Sequence, residues 1–534
     1  PTSRMTWTTR NAVNNKPVVR TRQAATARTH LLRMKKTAAH KTMQNGSVVE
    51  STSNHHVVGV ASASPQSPPA ARQAVVARAS ASSATTRVPL NPFAPGSKYT
   101  VEGVVMYYVK LLAGLGTLLA ADSALKKAVL SAGITFPSPL IGMFLVIGVL
   151  CLLSAANQQK AVDAVMEAIS PALNWISRWL PLFYVPSLVI LPIAVKSLNP
   201  AALTKVSLIV ALGMPFSLLV TAFLVTRIRK LANTTAQPVT PAPPLAPFTE
   251  QHAVAWGSIG FLSGIVACFA AQGTALAANA SAVATLAFTV LGLLIGSDPH
   301  PSMKKYMPHP VITTSLVANA GVALVGMLNG VGYMGTLKAY LTKGAAGAAW
   351  GAGDWLMSFL GIVVISFGFR IYGQRALLRR HLMEILGSAA GSAIISLAAT
   401  CLAGRLLGLG PDLTTAVAPR SVTVALAMPI ATQLGAPAEL IPICATAVVL
   451  TGLIGAALAQ KILDLAGFKN DPITRGLSVA AAAHGLGTAA LARAEPEALP
   501  FCALAYGLMG VAASTWVAIP VVRSMLMWLA GVPA

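Results

Sequence analysis

Charged residues are scarce in this chain. Asp, Glu, Lys and Arg make up 10% of its 534 residues, whereas soluble globular proteins carry about 25%. A chain so poor in charge cannot cover a water-exposed surface, and its mean hydropathy of +0.67 points the same way. The composition therefore excludes an ordinary water-soluble enzyme and indicates a polytopic membrane protein.

Cysteines and catalytic motifs are also lacking. The five cysteines lie far apart in apolar segments, so neither a disulfide framework nor a zinc site is predicted. The chain has no phosphate-binding loop of the Gly-x-x-x-x-Gly-Lys-Ser/Thr type, no His-Glu-x-x-His and no Gly-x-Ser-x-Gly. We therefore expect no metal, no cofactor, and no ATPase or hydrolase activity.

Acidic residues are almost absent from residues 1–98, which hold 14 lysines and arginines but a single acid, Glu50. The segment is rich in Ser, Thr and Ala, which is typical of an organellar transit peptide, and the run 75–81 is the candidate processing site. The alternative is a disordered basic arm. Because more than half of the net charge of +24 lies in this tail, the charge does not indicate a nucleic-acid partner.

From residue 99 onward the chain is a series of apolar segments. A helix needs about 20 residues to cross the apolar core of a bilayer. We count about 12–13 crossings, which predicts an all-α polytopic transmembrane protein. The candidate segments are 101–121, 137–156, 179–196, 202–226, 252–272, 282–297, 309–329, 354–371, 382–403, 415–434, 440–463, 474–493 and 498–521.

A Pro-rich, polar stretch at residues 231–251 interrupts this series and reads as an extended linker. It separates a half with four predicted helices, residues 99–230, from a larger half, residues 252–534. Two predicted helices separate each basic cluster from the next, so all the clusters fall on one side of the membrane, which is the cytoplasmic or stromal side. The clusters are Arg227/Arg229/Lys230, Lys304/Lys305 and Arg375/Arg379/Arg380.

Polar residues interrupt the apolar segment 415–434. Arg420, Ser421 and Thr423 lie between two prolines in an otherwise apolar stretch, which predicts a broken or re-entrant helix. An arginine at mid-membrane costs about 2.5–3.5 kcal/mol, and an anionic substrate could supply its missing partner, because a guanidinium binds a carboxylate through two hydrogen bonds. The alternative is an arginine at the membrane interface that contacts headgroups or a helix C-terminus.

A second polar island lies in the segment 474–493. His484 is followed by Gly485, Gly487 and Thr488, and the two glycines permit unusual backbone dihedrals, so we predict a second broken helix. The histidine is a candidate to bind a carboxylate or to carry a proton. The alternative is a structural histidine that bonds a neighbouring carbonyl. Another histidine, His381, follows a basic cluster and is expected to face solvent.

Three runs near the C-terminus together carry a specific resemblance. They are APRSVTVALAMPIATQLGAPAEL at 418–440, VVLTGLIGAAL at 448–458 and DPITRGLSVAAAAHGLGTAALA at 471–492. In this order they resemble the LrgB family, whose pattern has Pro-Lys/Arg-Ser-Val-Thr, Thr-Gly-Ile/Leu-Ile/Leu-Gly-Ala and His-x-Ile/Leu-Gly-Thr-Ala.

The resemblance extends more loosely to residues 252–411. Bacterial members have Gly-Pro-Ala where this chain has Gly-Ile-Val at 361–363, and Ile-Pro-Leu-Tyr where it has Phe-Arg-Ile-Tyr at 369–372, so roles on that helix do not transfer from bacteria. The first half resembles LrgA through PSPLIGM at 137–143 and FYVPS at 183–187.

An LrgA-like half joined to an LrgB-like half behind a transit peptide resembles the fused LrgA–LrgB carriers of plant and algal plastids. The resemblance implies a multi-pass carrier in the chloroplast inner envelope that exports glycolate and imports glycerate during photorespiration. Neither substrate follows from the composition. The residues themselves indicate a small anion such as a carboxylate.

We therefore expect a carrier of small 2-hydroxymonocarboxylates in the lipid bilayer, without enzymatic activity. A holin-like or antiholin-like pore regulator and a carrier of pyruvate or another monocarboxylate are the alternatives. Antiport or proton symport, and the oligomeric state, a homo-oligomer included, stay open. The expected substrate-binding residues are Arg420 as the carboxylate anchor, Ser421, Thr423 and Thr488 as hydroxyl partners, Gly485 and Gly487 as the backbone opening, and His484 as substrate ligand or proton relay.

Overall fold

The computed structural model describes residues 101–133, 136–196, 198–234, 248–299, 302–303, 306–342 and 348–533. Within these ranges the regular elements are all helical and no strand occurs, which confirms the all-α prediction. Eleven helical stretches of the described residues are long and apolar enough to cross a membrane. The predicted transit peptide and processing site, residues 1–98, and most of the predicted linker lie outside the described residues.

The first half contains four of these stretches. The third is longer than the predicted segment 179–196, because it begins with an amphipathic helix, α3, whose charged face lowers its mean hydropathy. A 3₁₀ turn, Leu180–Phe183, connects α3 to two short helices that each contain a proline. The helices of this half are α1 (Val101–Ser131), α2 (Ser138–Ala155), α3 (Gln159–Trp179), α4 (Val185–Val189), α5 (Leu191–Lys196) and α6 (Pro200–Ala232).

Helix α6 is 33 residues long. Asn199 caps its start by accepting a hydrogen bond from the backbone N–H of Ala202 at 2.7 Å. The helix continues through Ala232, and the next helix begins at Glu250, so both ends of the predicted linker 231–251 are helical.

The second half begins with paired helices. One of them, α8, is longer than the predicted segment 282–297, because its alanine-rich first turns also form helix. The carboxylate of Asp354 accepts a hydrogen bond from the N–H of Gly351 at 2.9 Å and so caps the start of α11. The helices are α7 (Glu250–Phe269), α8 (Ala275–Ser297), α9 (Pro310–Leu328), α10 (Gly332–Tyr340), α11 (Ala352–Ser358), α12 (Leu360–Gly373), α13 (Arg375–Arg380) and α14 (Leu382–Leu406).

The C-terminal region contains the two segments predicted to be broken. Neither 415–434 nor 474–493 is among the eleven spans. The first forms two short helices, and the second forms α18, which is interrupted internally. The helices are α15 (Pro411–Val417), α16 (Val424–Gln433), α17 (Ile441–Leu465), α18 (Pro472–Ala494), α19 (Leu499–Ala518) and α20 (Pro520–Leu529).

Helix α6 of the first half packs among α14, α17 and α18 of the second half. Met214 and Leu218 of α6 belong to the same buried apolar cluster as Ala483 of α18. Near the end of α6, Arg229 pairs with Asp471, which caps α18. The two halves therefore share one core, and α6 positions the polar residues described next.

Candidate anion-binding site

The first polar segment folds as a turn between two short helices. Helix α15 ends at Val417 and α16 begins at Val424, because Pro419 has no backbone N–H with which to continue a helix, and Thr423 is extended at the N-cap of α16. At about 1.5 Å per residue the helices are about 10 Å and about 15 Å long, so neither crosses a membrane alone. The turn places Arg420 in the interior.

Arg420 is a buried cation without a carboxylate partner. The residue is 1% exposed, and its Nη2 donates a hydrogen bond to Ser217 Oγ at 3.3 Å. Its Nε and Nη1 have no hydrogen-bond partner, and no ion pair in the described part of the chain includes it. An unpaired buried cation costs several kcal/mol. Burial therefore favours anion binding over headgroup contact.

A glycine of the first half provides the room for this guanidinium. A Cβ placed on Gly213 of α6 would lie 2.2 Å from Cζ and 2.4 Å from Nη2 of Arg420. Side chains do not pack at such distances. Any other residue at position 213 would therefore displace the guanidinium.

Hydroxyl groups from three elements form a continuous row beside the guanidinium. Ser217 Oγ of α6 lies 3.0 Å from Ser396 Oγ of α14, which lies 2.7 Å from Ser421 Oγ in the turn. One turn further along both helices, Thr221 donates to Ser392 Oγ at 2.9 Å. All five residues are at most 3% exposed. The row therefore connects the two halves of the chain through buried polar contacts.

The second polar segment contains a backbone break at His484. The residue has φ 41° and ψ −134°, a conformation that is strained for a residue with a side chain. His484 is 4% exposed, and its Nε2 lies 3.0 Å from the carbonyl oxygen of Val448 in α17. Since a carbonyl only accepts, Nε2 carries the hydrogen and Nδ1 of the neutral ring is an acceptor. A Cβ on Gly452 would lie 2.6 Å from the ring.

Both breaks pack against α6 and α17. Gly213, which contacts the guanidinium, is followed by Met214. A Cβ on Gly455 of α17 would lie 3.6 Å from Cγ of Met214 and 2.4 Å from Cβ of Ala483, the residue before the histidine. Consecutive residues of α6 therefore lie beside the two polar segments, Gly213 against Arg420 and Met214 near Gly455, which itself lies close to Ala483.

The other residues predicted to bind substrate have different surroundings. Ser421 lies in the hydroxyl row, whereas Thr423 occupies the N-cap of α16 without a capping side-chain hydrogen bond. Thr488 Oγ1 donates to the backbone of its own helix at 3.0 Å and lies 3.2 Å from Cys502 Sγ. The positive φ falls on the histidine itself rather than on Gly485 or Gly487.

Ser217 and Ser396 are site residues that the sequence reasoning missed. Each is an isolated serine in an apolar helix, and only the fold brings them beside the guanidinium. The available signal was a hydroxyl residue at every fourth position, which places them on one helix face. These positions are Ser217 and Thr221 in α6, and Ser388, Ser392, Ser396 and Thr400 in α14.

The prediction that His381 faces solvent is wrong. The residue is 1% exposed, and its Nδ1 lies 3.2 Å from Oε1 of Glu384, which also accepts a hydrogen bond from Thr234. The ring packs edge-on against Phe501 of α19. The basic cluster before it ends with α13, and the chain then turns inward to begin α14. The positive charge of the preceding residues therefore does not indicate that His381 is exposed.

A second arginine in the membrane region, Arg475, is buried but fully paired. It is 5% exposed and donates to Asp464 at 2.7 Å, to the carbonyl oxygen of Phe468 at 3.0 Å, and to both carboxylate oxygens of Glu495. Its partners balance its charge, so it needs no ligand.

The chain is similar to known proteins over most of its length. Residues 289–523 match the model of the LrgB-like family, which includes both polar segments. A curated relative, Plastidal glycolate/glycerate translocator 1, chloroplastic, of Arabidopsis thaliana, is 41% identical over 437 residues, which are 82% of this chain and 84% of the relative. The chain belongs to the LrgB-like family. The matched range of this family begins after α6, so Gly213 and Ser217 lie outside it.

Bacterial relatives of this LrgB-like protein are more distant. The Holin-like protein CidB of Staphylococcus epidermidis is 26% identical over 213 residues, 40% of this chain and 85% of the relative. The protein of that name in Staphylococcus aureus is 25% identical over 218 residues, 41% of this chain and 86% of the relative. No solved structure matches the chain.

Proposed function

We propose that this multi-pass membrane protein is a secondary transporter, and not an enzyme, that exports glycolate and imports glycerate across the chloroplast inner envelope in photorespiration. The name of the Arabidopsis relative, which is similar over 82% of this chain, supports the substrates and the compartment. The composition of residues 1–98 supports a cleaved transit peptide. N-terminal sequencing of the protein from isolated chloroplasts tests this part, and an intact residue 1–98 segment would contradict it.

The observation that carries the proposal is the unpaired guanidinium of Arg420. Nε and Nη1 are buried donors without acceptors among the described residues. A carboxylate has several acceptor positions and forms two parallel hydrogen bonds with adjacent N–H groups of a guanidinium, which are Nη2 together with either Nε or Nη1. Glycolate and glycerate both present such a group, so one anchor serves both substrates.

Burial of the guanidinium also supports exchange of one anion for another. The donors of Arg420 are enclosed in this conformation, so an anion reaches them only when the surrounding helices move. Reorientation without an anion leaves an unpaired cation in the apolar interior, which costs several kcal/mol. A bound carboxylate offsets this cost. The loaded transporter therefore reorients faster than the empty one, which favours antiport.

His484 is the second proposed ligand. Its Nε2–H is held by the carbonyl of Val448, so Nδ1 of the neutral ring accepts a hydrogen bond from a substrate hydroxyl or takes up a proton. Its chain neighbour Ala483 packs close to Gly455, which lies near Met214, the residue after Gly213 beside the anchor.

Reconstitution of the purified protein in liposomes tests the proposal. Uptake of labelled glycolate is expected to saturate and to rise when the liposomes contain glycerate.

Arg420→Lys is expected to retain part of the uptake, because the charge remains but the two-bond geometry is lost. Arg420→Gln is expected to lose nearly all uptake at low glycolate, since the loss of a charge-assisted hydrogen bond worth about 1.5–3 kcal/mol alone raises the apparent half-saturation constant by about tenfold to a hundredfold. Uptake is normalised to inserted protein, and unchanged affinity in Arg420→Gln would contradict the anchor.

A pore regulator is the second candidate, because the Staphylococcus relatives are named holin-like. A pore conducts anions without saturation, and internal glycerate does not stimulate its uptake. The same liposomes distinguish the two functions. Linear uptake together with single-channel conductance would replace the transporter with the pore.

A further inference from the structure

The three serines of the hydroxyl row that lie nearest to Arg420 contain one more donor than they use. Ser217, Ser396 and Ser421 each carry one hydroxyl hydrogen, but the two contacts between them, at 3.0 and 2.7 Å, use only two. The third hydrogen has no acceptor among the described residues. Because hydroxyl groups rotate, the hydrogen bonds can run in either direction along the row, which leaves the spare donor on Ser421 or on Ser217. Both end serines can also donate to Ser396, which leaves the spare donor on Ser396.

Both ends of the row adjoin the carboxylate anchor. Ser217 accepts the hydrogen bond of Arg420 Nη2 at 3.3 Å, and Ser421 is the next residue in the turn. In a 2-hydroxy acid the hydroxyl group is bonded to the carbon next to the carboxylate. A carboxylate on Arg420 therefore brings its 2-hydroxyl group to the serine hydroxyls, and not to a group further along the segment.

The chemistry of the row suits a hydroxyl group. A substrate hydroxyl donates one hydrogen bond and accepts others, so it can take the spare hydrogen of the row and donate to a serine oxygen. An acid without this hydroxyl leaves the spare donor unpaired. Sites that bond a substrate hydroxyl reject analogues that lack it, because their own buried polar groups then have no partner.

We propose that Ser217, Ser396 and Ser421 form a hydroxyl-reading subsite that selects 2-hydroxymonocarboxylates over the corresponding acids without the hydroxyl. The subsite rests on the proposed transport function and adds to it the origin of substrate selectivity. It is composite, because Ser217 belongs to the LrgA-like half and the other two serines to the LrgB-like half. Selectivity therefore requires both halves of the chain.

Competition in liposomes that contain the full chain tests the subsite. Unlabelled glycolate and unlabelled acetate, which differ by the 2-hydroxyl group, compete with labelled glycolate for uptake. The unsubstituted protein is expected to prefer glycolate by at least about tenfold. Ser396→Ala is expected to weaken glycolate competition by about fivefold to twentyfold while acetate competition stays the same, because only the hydroxyl contact is lost. Ser217→Ala also removes the acceptor of Arg420 Nη2, so it is expected to weaken competition by both acids, and by glycolate more than by acetate.

The matched control is Ser388→Ala. Ser388 lies on the same helix as Ser396 and is also buried, but its hydroxyl donates to its own backbone, to the carbonyl of Ile385 at 3.2 Å. This variant is expected to keep the full preference for glycolate. Ser217→Thr keeps the hydroxyl group and is expected to restore most of the preference. Ser217→Cys, of similar volume, serves if the alanine variant does not insert, and it is expected to lose the preference.

Two results would overturn the subsite. An unchanged preference for glycolate over acetate in both Ser217→Ala and Ser396→Ala would show that the serines do not bind the substrate hydroxyl group. An equal loss for glycolate and acetate shows that the serines only position Arg420. In both cases the saturable, glycerate-stimulated uptake of the unsubstituted protein leaves the transport function in place, whereas the absence of such uptake contradicts that function itself.

Discussion

Arg420 and Arg475 are both buried in the second half, but their surroundings are opposite. Arg475 lies near the start of α18 and is paired with Asp464 and Glu495, 11 and 20 residues away. Arg420 lies in the turn between α15 and α16, where its one hydrogen bond goes to a serine. Burial alone therefore does not distinguish an arginine that stabilises the fold from one that we propose to bind a ligand. The presence or absence of carboxylates does.

The largest expected effect comes from replacing each arginine by methionine. In Arg475→Met two carboxylates lose their partner, and we expect the free energy of unfolding to fall by about 2–4 kcal/mol, because Asp464 and Glu495 stay partly exposed. In Arg420→Met no carboxylate is orphaned, so stability is expected to be unchanged or higher, while glycolate uptake is lost.

Thermal unfolding in detergent, measured beside liposome uptake, checks this pair. Unsubstituted protein prepared in the same way is the control. A destabilised Arg420→Met together with a stable Arg475→Met would reverse the comparison and make Arg420 a structural residue.

Gly213→Ala, in the first half of the chain, tests whether the position of the Arg420 guanidinium matters for binding. The new Cβ would lie 2.2 Å from Cζ of Arg420 and so displace the guanidinium. We expect an apparent half-saturation constant for glycolate raised by about tenfold to a hundredfold, with normal insertion. Gly257→Ala is the control, since a Cβ on Gly257 of α7 has no neighbour within 4 Å. Normal affinity in Gly213→Ala would separate α6 from the site.

His484 is expected to behave like Arg420 rather than like Arg475. In His484→Gly the strain of the positive φ is relieved, which offsets the loss of the hydrogen bond to Val448. We expect stability to change by less than about 1 kcal/mol, while glycolate affinity falls by about fivefold. Melting temperature and uptake kinetics measure the two effects. A large fall in melting temperature with normal affinity would assign the histidine to the fold.

The smallest effect concerns Arg229 and Asp471, which join the halves but are partly exposed. A double-mutant cycle with Arg229→Met and Asp471→Asn is expected to give a coupling energy of about 0.5–1 kcal/mol.

Because α6 packs among three helices of the second half, halves separated by a cut within residues 235–247 are expected to associate and to retain some transport. Co-purification of the two halves from membranes measures this. Halves that insert stably but do not associate would show that the linker is required.

Much of this architecture follows from local sequence. Proline next to Arg420, and a histidine followed by two glycines, correctly located the two segments in which the helix is interrupted. The amphipathic helix α3 was not predicted, because the charged residues on one face lower its mean hydropathy below that of the other segments. The serines at 217 and 396 escaped because a single hydroxyl in an apolar helix carries no signal until a partner from another helix is known.

Helix α6 also has a consequence for biogenesis. The hydrogen bond from Arg420 to Ser217 joins residues 203 positions apart, so a chain that is truncated between them holds one wall of the site without the other. A half-inserted protein therefore has Ser217 without Arg420, or Arg420 without Gly213, the residue that provides room for the guanidinium. Neither fragment contains the complete site, so anion binding there requires the complete chain.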